Sequence, residues 1–110
     1  MDYAFFVNLA NEMPLPEKGI LSNVLHMDEY VNITAFGFAA GQELSAHSAP
    51  TPAALYFLEG EAEVRLGGDT VSAHAGSFVY MPPLLTHGIS AKSPLKMLLI
   101  QVKAGANQAS

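Results

Sequence analysis

An all-β chain, folded as a sandwich or barrel, is predicted by three observations. Glycine and proline recur along the whole sequence, at Gly19, Gly37, Gly41, Pro50, Pro52, Gly60, Gly67-Gly68, Gly76, Pro82-Pro83, Gly88 and Pro94. The stretches between them are too short for amphipathic helices of three turns. Several alternate apolar and polar residues at period two, the pattern of a strand with one buried face. At 110 residues the chain supports a single domain. A chain this small closes its sheet most economically as a double-sheet jelly roll. Composition and periodicity leave another β-sandwich open.

Taken in order, Asn11–Lys18 carries Pro14 and Pro16 and predicts a loop or one short turn. Strands are predicted at Ile20–His26, Tyr30–Ala40, Glu43–Ser48, Ala53–Glu59 and Glu61–Leu66, then at Thr70–Ala73, Ser77–Met81, Gly88–Lys92 and Leu95–Lys103. Glu61–Leu66 alternates most cleanly, with its acids and Arg65 on one face and its apolar residues on the other, as in a half-buried antiparallel strand. Gly67-Gly68-Asp69 predicts a hairpin turn into the next strand. The domain core is expected over about residues 20–103, and the small, polar stretch Ala104–Ser110 is expected to be a frayed tail.

Charge and composition exclude several classes of function. Five Lys and Arg against ten Asp and Glu give a net charge of −5, which disfavours nucleic acid or an anionic membrane surface as partner. The chain has no cysteine, so a disulfide framework, a thiolate metal site and a Cys nucleophile are excluded. No apolar run is long enough to span a membrane. No basic stretch precedes an apolar run after Met1-Asp2-Tyr3, which predicts a protein without a secretory leader, residing in the cytoplasm.

The residues able to carry chemistry are the histidines His26, His47, His74 and His87. His47 and His87 stand in the informative contexts. Gly41 is followed by five residues and His47, and Gly60 closes the next predicted strand. Gly76 is followed by five residues and Pro82, with His87 five positions further on. These spacings resemble the two motifs of the cupin family. Gly41, His47 and Gly60 fall on the first motif, and Gly76, Pro82 and His87 on the second. The wording Ala75–Pro83 also looks like a small cupin, and the resemblance spans about residues 23–102.

The resemblance implies a cupin-type double-stranded β-helix, a jelly-roll barrel, in which His47 and His87 face one another across the cavity. In the family a metal is usually held by both His and the Glu of the first motif and by the His of the second. Here the second His position is Ala49, the Glu position Ala53, the second-motif Gly Leu84 and the motif Asn Ala91. Glu59 cannot replace the missing carboxylate, because it lies about 20 Å further along an extended strand. Two imidazoles alone hold a divalent ion weakly. A metal (Zn, Mn, Ni or Fe) is therefore expected to be weakly held or absent, with His47 and His87 as its ligands. They can instead be cavity histidines paired with each other or with water. His26 is expected at the surface or an interface, and His74 is expected to be exposed.

The aromatics Phe36, Phe38, Tyr56, Phe57, Phe78 and Tyr80 are most simply core. Phe36, Phe57 and Tyr80, with His47 and His87, are assigned to the wall of a ligand cavity. The reading that follows is a small-molecule-binding cupin with a reduced metal site and no assigned catalytic residue. The alternative is a metal-dependent enzyme acting on a small sugar or sugar acid, because small cupins with similar spacing act in pectin-derived uronate degradation. The resemblance also implies a homodimer, and Ile20–Met27 is the candidate interface strand.

Overall fold

The structure is a computed structural model describing residues 2–103; the tail expected at Ala104–Ser110 lies outside the described residues. After a 3₁₀ turn at Leu9–Glu12, nine strands follow among the described residues: β1 (Ile20–Met27), β2 (Val31–Phe38), β3 (Glu43–His47), β4 (Ala53–Glu59), β5 (Glu61–Leu66), β6 (Asp69–His74), β7 (Phe78–Met81), β8 (His87–Ala91) and β9 (Leu95–Val102). All nine predicted strands form, with ends within two residues of expectation. They build two antiparallel sheets, ordered β1-β2-β9-β4-β7 and β3-β8-β5-β6. The architecture is the all-β jelly roll that the sequence predicts.

Period-two alternation places the core between the sheets. Leu55 and Phe57 of β4, Leu95 and Met97 of β9 and Phe38 of β2 meet Ala62 and Val64 of β5 and Ile89 and Ala91 of β8. A second cluster, Met13, Ala35 and Leu98, lies on the outer face of the larger sheet with Leu9, Leu25 and Ile33 packed against it. The segment preceding β1 therefore covers that face. Lys96 ties it down, donating from Nζ to the carbonyl oxygen of Ala10 at 3.0 Å.

The chain crosses from the larger sheet to the smaller at Gly60, between β4 and β5. Its φ of +92° lies in the left-handed region, and a Cβ there would overlap the carbonyl oxygen of Pro94. The turn between β1 and β2 is fixed by Asp28. One carboxylate oxygen accepts the backbone N–H groups of Tyr30 and Val31 at 2.7 and 2.9 Å, and the other meets Nε2 of His26 at 2.8 Å.

Those bonds, the His26 contact first, lower the Asp28 carboxyl from its ordinary value of 3.8 to about 2. Because the folded state holds the ionised form, Asp28 contributes its full stabilisation above the unfolded value, and the contribution is lost as pH falls from about 4 through about 2. Thermal melting across that range is expected to show a steeper acid decline for the wild type than for Asp28→Asn. Parallel curves would remove Asp28 from the account of acid unfolding.

Candidate functional site

His47 ends β3 and His87 opens β8, on neighbouring strands of the smaller sheet. Glu43 pairs with Ser90 and Leu44 with Ile89, after which a register shift on β3 sets His47 directly opposite His87. The extra residue is a β-bulge, which re-aims the side chains beyond it. Gly88 makes room for it, since a Cβ there would stand 3.1 Å from the Leu44 carbonyl oxygen and 3.2 Å from Ala46 Cα. The result is a pair of imidazoles with ring centroids 4.4 Å apart and planes tilted by 55°.

Each ring is oriented in the same way. Nδ1 of His47 lies 2.9 Å from the carbonyl oxygen of Ser45, and Nδ1 of His87 lies 2.9 Å from that of Leu85. A carbonyl oxygen only accepts, so each neutral ring donates from Nδ1–H and keeps the lone pair on Nε2. Such backbone contacts are the usual device for presenting Nε2 to an electrophile or a metal. His87 is buried and His47 is exposed, so one ring belongs to the cavity floor and the other to its rim.

The two rings line a cavity of about 40 Å³, together with Ala49, Ala53, Thr51 and Gln101. That volume holds an ion with a water or a few waters. Thr51 and Gln101 also line an adjoining groove of about 300 Å³ with Asn32, Pro50 and Lys103, a volume at the lower end of small-molecule sites. Inner chamber and outer groove thus share two polar side chains. Sequence reasoning missed both. Gln101 had a readable signal: it is the one polar residue among the alternate β9 positions Leu95, Met97, Leu99 and Gln101. Thr51 sits in the loop between β3 and β4, where no periodicity marks it.

The aromatics assigned to the cavity wall lie elsewhere. Phe57 is fully buried in the core. Phe36 faces Met97 of β9 and tilts against Phe38, with ring centroids 6.2 Å apart. Tyr80 is 61% exposed on the outer face of β7, because Met81, its neighbour in the strand, takes the inward position. Glu59 lies at the far end of β4 beside Lys96, at 3.5 Å. His74 is exposed, and His26 pairs with Asp28 at the β1–β2 turn.

Two imidazoles with a free Nε2 lone pair are donors of the kind a divalent ion takes, but fewer than the three or four of a stable site. Their ring centres lie 4.4 Å apart. Among the described residues no third His, Cys, Asp or Glu joins them. Among the described residues, the Gln101 amide and the Thr51 hydroxyl are the remaining side-chain oxygen donors in the cavity lining.

Leu84 borders the same region. It has a φ of +70°, is 71% exposed, and donates its N–H to the carbonyl oxygen of Ala49 at 2.7 Å. This is the position where the second motif has glycine, and the left-handed backbone explains why. The strain is about 1–2 kcal/mol, against about 0.5–1 kcal/mol for the greater chain entropy of glycine. Leu84→Gly is expected to stabilise the fold by about 0.5–1 kcal/mol, seen as a Tm raised by a few degrees. A lowered Tm would mean that the exposed leucine packs in a way the backbone argument ignores.

The profile of the family described as Cupin domain matches residues 35–101. Among solved structures, a conserved protein of unknown function from Streptococcus pyogenes is 30% identical. The match covers 94% of this chain and 90% of that one, with a TM-score of 0.83. A cupin superfamily protein from Desulfitobacterium hafniense is 26% identical over 86% of this chain and 87% of that one, with a TM-score of 0.82. KdgF from a Halomonas species, 22% identical over 91% and 94% of the two chains with a TM-score of 0.76, shares the fold. No curated protein matches the chain.

Proposed function

The chain belongs to the cupin family, and on that premise we propose that it binds a small molecule at the mouth of its barrel, beside a weakly held divalent metal. The observation that carries the proposal is the opposed His47–His87 pair, each ring tied through Nδ1 to a backbone carbonyl. His47 and His87 would hold the ion, with Gln101 and Thr51 beside them. A bound Zn, Mn, Ni or Fe would supply Lewis acidity at this point. The protein's own contribution is to fix two ring tautomers, to present an apolar wall at Ala49 and Ala53, and to offer Asn32, Gln101 and Lys103 along the groove.

Elemental analysis of untagged protein tests this. Metal below one ion per chain is expected after purification, rising towards one after supplementation with Zn, Mn, Ni or Fe. Protein that stays metal-free after every supplement would overturn the metal part of the proposal.

A second reading is a metal-dependent enzyme acting on a small sugar or sugar acid. Lys103 favours it, because a cation lining the groove provides charge complementarity for a carboxylate. Turnover of a uronate that depends on added metal and is lost in His87→Ala would support this reading over simple binding.

We further propose that the protein acts in the cytoplasm as a homodimer joined along β1. That strand is an edge of the larger sheet and exposes Leu21, Val24 and Met27, and unprotected edges of this kind invite pairing. Among the described residues no helix is long and apolar enough to cross a membrane. Light scattering at micromolar concentration is expected to give twice the chain mass, and a monomer would contradict it.

A further inference from the structure

A pocket of about 330 Å³ lies on the outer face of the larger sheet, between segment 2–6 and strands β1 and β2. It is separate from the barrel cavity by the logic of the strand itself. Leu98 lines this pocket and Leu99 the cavity, and consecutive strand residues point to opposite faces. Its walls are apolar: Phe6, Leu9, Leu25, Ile33 and Leu98. The His26–Asp28 pair, Asp2 and the hydroxyl-bearing Tyr3 interrupt them.

A bulge shapes this site too. Val24 pairs with Thr34 and His26 with Ile33, so Leu25 is an extra residue in β1. The bulge accounts for two consecutive residues, Leu25 and His26, lining one pocket. The His26 ring is oriented more firmly than an isolated surface histidine. Nε2 meets one Asp28 oxygen at 2.8 Å, and the other oxygen is anchored by two backbone N–H groups. Asp28 is ionised at neutral pH, so neutral His26 must donate from Nε2–H. Nδ1 is then the acceptor of the ring.

We propose that this pocket is a second small-molecule site, taking an aromatic or otherwise apolar compound whose single hydroxyl donates to Nδ1 of His26. Its volume falls in the range of small-molecule sites, whereas the barrel's inner chamber is several times smaller. Apolar walls supply the affinity, and one oriented acceptor supplies the preference. The carboxylates of Asp2 and Asp28, both in the lining, disfavour an anionic ligand. The site is independent of any metal at His47 and His87.

The test is an amide NMR titration of the full chain at pH 8 with 1-naphthol, set beside naphthalene, which lacks the hydroxyl. Saturable shifts are expected in segment 2–9, in β1 and at Ile33 and Leu98. 1-Naphthol should bind roughly three- to tenfold more tightly than naphthalene, the increment of one net hydrogen bond. In His26→Phe, confirmed folded by its spectrum, that preference should vanish while both compounds still bind. The proposal is overturned by the lack of saturable shifts, by shifts centred on His47 and His87, by equal wild-type affinity for the two probes, or by a His26→Phe variant that keeps the preference. The wild-type comparison of the two probes stands whether or not the variant folds.

Discussion

Replacing Gly60 with alanine is expected to destabilise the protein by about 3 kcal/mol or more. Two costs add at this residue. The φ of +92° is a backbone conformation that an L side chain adopts only under strain, and the new Cβ would overlap the Pro94 carbonyl oxygen. The obstacle is backbone, so it cannot swing aside as the end of a flexible side chain could. Pro94 precedes β9, the strand that joins β2 to β4 in the larger sheet, so relaxation would disturb the sheet as well as the turn. Urea unfolding of wild type and Gly60→Ala measures the difference directly. A change below about 0.5 kcal/mol, the scale of an ordinary surface substitution, would show that the turn can move freely.

Replacing His47 or His87 with alanine is expected to lower divalent-metal affinity by about 100-fold or more, because even losing a group that only orients a ligand costs about 10–100-fold. With two imidazoles in the site, either variant leaves one nitrogen donor beside the weak oxygen donors Gln101 and Thr51. The two variants should differ in stability. His47 is exposed, so its removal should cost within about 0.5 kcal/mol. His87 is buried and bonded to the Leu85 carbonyl, so its removal should cost more, about 1–3 kcal/mol. Calorimetric zinc titration and thermal melting of the three proteins give both quantities. Equal zinc affinity in all three would place the metal elsewhere.

Much of the fold was legible because its signals are local. Gly67-Gly68 predicts a tight turn and joins β5 to β6; Glu61–Leu66 alternates and pairs on both sides with one face buried. Turn chemistry and period two belong to single strands, and a sequence displays them. The approach of His47 to His87 was legible only through the family spacing of Gly41, Gly76 and Pro82. What brings it about is not local. The bulge on β3 depends on β8 as a partner and on the missing side chain of Gly88, forty-one positions from His47 by count of the sequence. Tyr80 shows the converse difficulty. Phe78, Val79, Tyr80 and Met81 are all apolar or aromatic, so nothing in the strand says which pair faces inward. Register with β4 sets Val79 opposite Leu55 and Met81 opposite Ala53, on the face turned to the core. The pocket at His26 was hidden for a related reason, since its far wall is a segment without regular structure laid across β1 and β2.

Zinc titration followed through the histidine ring protons shows whether His47 and His87 form one binding unit. The four histidines give four separate reporters. Zinc added at pH 7 is predicted to move the His47 and His87 resonances together, along one saturation curve ending at one ion per chain. His26, held by Asp28, and His74, exposed beside its turn, should respond only at higher concentration. Resonances of His47 and His87 that move independently, or only after those of His26 and His74, would mean that the two rings do not share an ion.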